Sequence, residues 1–170
     1  MARWRYITGN RRGDTLIEFT LVGIPLIFVA ISLVTVSVDM WQFHDLPYSV
    51  DMTARYVTSH GQGCSQNGNT CMVTIGNIAS YFASQSIALD PSLVNVTLTD
   101  GSGSTNCDPL NSCLSNASTF PNTNYNSPGQ DITIHATYTL RNPIAMFWPP
   151  DRDSGHDFTV GATSRQGIVF

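Results

Sequence analysis

The chain has 170 residues, a formal net charge of −4, eight arginines, no lysine and twelve acidic residues, of which Glu18 alone is a glutamate. That balance excludes a nucleic-acid partner, because phosphate binding needs a basic face. The length allows one modest soluble domain beside an anchor, with enough chain to bury a core.

Arg3, Arg5, Arg11 and Arg12 are followed by an uncharged run from Phe19 to Val38. At about 1.5 Å per helical residue, that run matches a hydrocarbon core of roughly 30 Å. It is too long for the apolar core of a secretory signal, and Asp39-Met40-Trp41-Gln42 behind it offers no small-residue cleavage site. Positive residues stay cytoplasmic, which predicts an N-terminus inside, a chain outside after Asp39, and Trp41 and Phe43 at the outer interface. Glu18 lies at the mouth of this span, where a carboxylate costs less than the roughly 2.5–3.5 kcal/mol it costs at the bilayer centre. Two uses of it stay open: it snorkels to the headgroups, or it pairs with a cation on a neighbouring helix.

The wording around Glu18 carries a resemblance. Arg11-Arg12-Gly13-Asp14-Thr15-Leu16-Ile17-Glu18-Phe19, then Leu21-Val22-Gly23-Ile24-Pro25-Leu26, resembles type IV prepilins, and within them the TadE-like pseudopilins of tight adherence (Tad/Flp) pilus systems. Met52-Thr53-Ala54-Arg55-Tyr56-Val57 is similar to a segment that follows the family's helix, and Leu89-Asp90-Pro91-Ser92-Leu93-Val94-Asn95-Val96-Thr97 to the entry to its first strand. The likeness is dense over residues 9–58, thinner over 72–99, and a matter of pattern beyond. It implies a basic leader over residues 1–13, prepilin peptidase cleavage between Gly13 and Asp14, and an assembly or register role for Glu18 at the processed chain's fifth position. Asp14 departs from the small or apolar residue with which such processed chains more often begin. The implied partners are the peptidase, other pilins and pseudopilins, the inner-membrane assembly platform and the lipid bilayer.

Pro25 inside the apolar run predicts a kink or a melted turn. Asp45 reads as the N-cap of a new helical segment with Pro47 in its first turn. Leu46, Val50, Ala54 and Val57 recur at helical spacing and mark one face to be covered. Cys64, Cys71, Cys107 and Cys113 all fall on the outer side, where oxidation is favoured. Of three possible connectivities the close spacing favours Cys64 with Cys71 and Cys107 with Cys113, and neither pair has the gap of a zinc knuckle.

Met72 to Ala88 reads as an amphipathic helix closed by Asp90-Pro91. Val94, Val96 and Leu98 alternate with polar residues as a half-buried strand, and Ile132, Ile134, Ala136, Tyr138 and Leu140 do so as a second. A third strand is predicted at Phe158 to Thr163. Residues 101–130, rich in Gly, Ser, Thr, Asn and Pro, read as a long loop that offers either a contact surface or slack. Pro143 to Pro150 reads as an apolar loop folded under the sheet or a docking patch, and Asp151-Arg152-Asp153 as a solvated turn. His135 falls on the polar face of its strand, and no catalytic constellation, cofactor motif or metal-ligand spacing emerges.

The sequence therefore predicts an α+β, pilin-like chain: a leader over 1–13, a long helix over 14–60 with a membrane segment at about 19–38, and a periplasmic domain over 61–170 with an amphipathic helix and a three-stranded antiparallel sheet. A non-enzymatic minor pseudopilin of the bacterial inner membrane is the leading reading, with incorporation in an extracellular pilus as an extension of it. An unprocessed single-pass envelope binding protein or adhesin, or a large major pilin, are the alternatives.

Overall fold

The computed structural model describes residues 12–61, 64, 71–140 and 158–169. The leader up to Arg11, Pro143 to Pro150 and Asp151-Arg152-Asp153 lie outside the described residues. The chain divides into two compact units, Met1–Ser37 and Val38–Phe170.

Helix α1 runs over Arg12–Ser59. It passes without interruption through Pro25 and Pro47, so Asp45 does not begin a second helix. The Asp45 carboxylate instead accepts a hydrogen bond from the Ala88 amide at 2.9 Å, and the Gln42 amide donates to the Ala88 carbonyl at 3.1 Å. From Leu46 onward the helix acquires an inner face. Leu46, Ser49, Val50, Thr53, Ala54, Val57 and Thr58 are buried, the three- and four-residue spacing of a stripe laid on a core.

Helix α2 is shorter than its sequence pattern, Ile75–Gln85, and buries Ile75, Gly76, Ile78, Ala79 and Phe82. A helix's first amides lack intrahelical partners. Here the Asn77 amide donates to the Thr74 hydroxyl, the Ile75 amide to the Ser118 carbonyl and the Gly76 amide to the Asn116 carbonyl. Gly76 is required by this contact, because an added Cβ would lie 2.6 Å from the Leu114 carbonyl oxygen. Gly76→Ala gains at most about 1 kcal/mol of helix propensity. Against that, displacing backbone in a packed site costs about 1–3 kcal/mol, and the Gly76 to Asn116 bond is weakened as well. The expected net result is a lower melting temperature, by roughly 4 °C per kcal/mol lost, read by thermal denaturation.

Among the described residues four strands form one antiparallel sheet in the order β2-β1-β3-β4: β1 Val94–Asp100, β2 Gly103–Cys107, β3 Asp131–Leu140 and β4 Phe158–Gly167. The sheet is therefore four-stranded rather than three-stranded, and residues 101–130 are not one long loop. β2 escapes a pattern search because Gly-Ser-Thr-Asn-Cys has no apolar alternation and only its last residue is buried. It is held by backbone pairing with β1, after a turn in which Gly103 has φ +146°, a conformation that favours glycine. Short turns of 3₁₀ helix follow at Leu110–Cys113 and Thr123–Tyr125.

β4 also runs further than its apolar residues indicate. Its polar end is fastened to α1 by the Asp51 carboxylate, which accepts from Gln166 at 2.8 Å and Ser164 at 3.3 Å while Arg55 donates to its other oxygen at 2.9 Å. The inner face of the sheet, with Val94, Val96, Leu98, Ile132, Ile134, Ala136 and Tyr138, forms one core with Phe82 of α2 and the α1 stripe. The helical face through Leu46, Val50, Ala54 and Val57 is thus covered within the chain.

Candidate functional site

The same helix α1 carries a second kind of surface. From Ile17 to Val38 no described side chain is buried. Leu26, Ile27, Phe28 and Val29 are 46–65 % exposed at consecutive positions, so the apolar surface runs around the helix rather than along one stripe. A helix apolar all round needs apolar surroundings. Its polar members are matched to that need: Thr20, Ser32, Thr35 and Ser37 each donate to a helix carbonyl three or four residues back, at 2.8–2.9 Å. No hydroxyl proton among these four is left to be solvated, which hydrocarbon requires. By length and composition this helix is able to cross a membrane.

Gly13 and Asp14 follow Arg12 where the described part of α1 begins, and Glu18 lies one turn beyond Asp14. Residues four apart share a helix face. The Glu18 side chain is exposed and has no ion pair or hydrogen bond among the described residues. Past the apolar run, Met40, Trp41, Phe43 and Tyr48 are 49–58 % exposed, and the inner stripe begins at Leu46.

The four cysteines stand as two local pairs, Cys64 with Cys71 and Cys107 with Cys113, each with Cα atoms 5.5 Å apart. The second pair joins the end of β2 to the 3₁₀ turn that follows it, and both its residues are buried. His135 is exposed on the outer face of β3, its Nδ1 2.8 Å from the Thr163 hydroxyl, an arrangement of sheet neighbours.

A feature with no apolar signature in the sequence is a polar cleft of about 260 Å³ beside β2, lined by Asp100, Ser102, Ser104, Ser118, Thr119 and Asn122 among others. The Asp100 carboxylate organises this wall, accepting from the Ser102 amide and hydroxyl and from the Asn122 amide at 2.7 Å. Partial burial opposes its ionised form, but the bonds from Asn122, Ser102 and Gly103 outweigh burial and hold its pKa below the ordinary aspartate value. A carboxyl depressed by folding stabilises the protein above its unfolded pKa, and the contribution disappears as pH falls through the folded value. The expected result is that wild type loses melting temperature below about pH 4, whereas Asp100→Asn starts lower at pH 7 and loses less over that interval. The only sequence hint was the Asp100-Gly-Ser-Gly turn.

No family model, no curated protein and no solved structure matches this chain.

Proposed function

We propose that the chain is a TadE-like minor pseudopilin that takes part in assembling a Tad/Flp-type pilus. It is held in the bacterial inner membrane by residues 19–38, with its N-terminus cytoplasmic and its folded domain periplasmic, and its roles are those of a peptidase substrate and an assembly subunit rather than an enzyme. Prepilin peptidase removes residues 1–13, and the new α-amino group of Asp14 becomes a cation able to pair with Glu18 of a neighbouring helix.

The observation that carries this reading is the pairing of an acid with an uncovered apolar cylinder. Glu18 is exposed at one end of a helix whose side chains from Ile17 to Val38 the chain does not bury. Such a surface is compatible with lipid or with other helices, and a carboxylate at its edge gains stability when a helix bundle supplies a cation. The polar cleft at β2 favours a second reading, a solitary anchored binding protein that displays residues 101–130. Intact-mass analysis of membrane-extracted protein from a peptidase-positive host separates them. A chain that begins at Asp14 supports the pseudopilin, and one that begins at Met1 or Ala2 overturns it.

A further inference from the structure

We propose that the turn Ser86-Ile87-Ala88-Leu89 forms, with Trp41 and Phe43, a lipid-contacting face on which the folded domain rests against the bilayer surface. The inference rests on the membrane anchoring in the function proposed above and adds a contact that anchoring alone does not require.

The apolar run ends at Val38, and at about 1.5 Å per residue Trp41 stands about 4.5 Å beyond it, Gln42 about 6 Å and Asp45 about 10 Å. The headgroup layer on each side of the hydrocarbon is roughly 5–8 Å thick, half the difference between a full bilayer and its core. Gln42 and Asp45 clasp the two backbone polar atoms of Ala88, at 3.1 and 2.9 Å. The turn is therefore tied to α1 one to two helical turns past Val38, which corresponds to the outer edge of the headgroup layer when the apolar run spans the bilayer.

Next comes what the turn presents. Ile87 is 82 % exposed, whereas Leu89 in the same turn is 5 % exposed and part of the core. A core was within reach, and Ile87 is outside it. Met40, Trp41 and Phe43 of α1 are exposed at about the same level, and amphipathic aromatics favour this layer.

Charge selects the lipid. Between Asp39 and Ala54, and from Ser86 to Ser92, the charged residues are Asp39, Asp45, Asp51 and Asp90, with no arginine or lysine. A polybasic segment would mark anionic lipid. This face is apolar and acidic, so the occupant is a zwitterionic surface such as phosphatidylcholine, and salt should leave the contact unchanged.

The full chain in phosphatidylcholine nanodiscs provides the test, by amide NMR with a nitroxide on the upper acyl chain in one sample and a water-soluble gadolinium chelate in another. The expected result is strong nitroxide broadening at residues 20–36, at Trp41 and at Ile87, with Leu114 broadened only by gadolinium. Ile87→Asp should abolish nitroxide broadening at Ala88 and leave it at Trp41. Broadening of the span with Ile87 responding like Leu114 overturns the contact while leaving the anchor in place. Absence of broadening along 20–36 overturns the anchoring itself. Shielding of Ile87 from gadolinium without nitroxide broadening, rising with protein concentration, assigns the turn to a second copy of this chain and also overturns the proposal.

Discussion

Glu18→Ala is expected to leave membrane insertion intact or to improve it, and to lower association with pilin partners by roughly two to three orders of magnitude. Insertion follows from the span, because the substitution removes the only charge between Asp14 and Asp39, and insertion scales penalise charge. The size of the assembly effect follows from what the partner loses. In a bundle of apolar helices the Asp14 amine would remain buried with no counter-charge, and breaking one side of a buried pair costs about 3–5 kcal/mol, where 1.4 kcal/mol is a factor of about ten. Glu18→Gln is the sharper control, since it keeps shape and hydrogen bonding and removes only charge. The measurement is crosslinking between cysteines placed along residues 20–36, in cells that make pili. Equal crosslinking in wild type and both variants would assign Glu18 to the headgroups.

How legible this chain was depends on which force shapes each element. β1, β3 and the α1 stripe are stabilised by burying side chains at a fixed period, and Val94, Val96, Leu98 and Ile132 to Leu140 wrote that period into the sequence. β2 and the far half of β4 are stabilised mainly by backbone pairing and by polar anchors such as Asp51 to Gln166. Neither leaves an apolar rhythm, so one strand was missed and the other cut short at Thr163. Pro47 misled for a related reason. Proline and a preceding aspartate are helix-start chemistry, but here Asp45 is held by Ala88, forty-three residues away in sequence, and no local rule sees such a partner. For the candidate site the opposite holds: the apolar run and Glu18 were plain because such a run is defined by composition alone.

One helix thus presents two kinds of surface. From Ile17 to Val38 none of the side chains of α1 is buried, and from Leu46 they alternate between a buried stripe and an open face. The intervening Met40, Trp41 and Phe43 suit neither a dry core nor bulk water, and they fit a layer that is both. On this view a defect in the β-sheet core and a defect at Glu18 should separate experimentally. Phe82→Ala empties a site that Ile75, Ile78, Val96, Leu98 and Leu110 share and acts on the folded domain, whereas Glu18 substitutions act on assembly and leave domain melting unchanged.

Under the proposed processing by prepilin peptidase, replacing Gly13 by a bulky residue such as phenylalanine should abolish cleavage, so that the unprocessed chain accumulates. Proteases bind the scissile backbone closely, and glycine lets an enzyme approach from the side a Cβ would occupy. The bond between Gly13 and Asp14 lies next to Arg12, where the described part of α1 begins. Gly13→Ala adds a single methyl and should slow processing without stopping it, which makes the pair of variants a graded test of close approach. Intact mass after pulse labelling reads both. Unchanged release of residues 1–13 from the Gly13→Phe chain would mean that the enzyme does not read this glycine, and the cleavage position would then have to lie elsewhere.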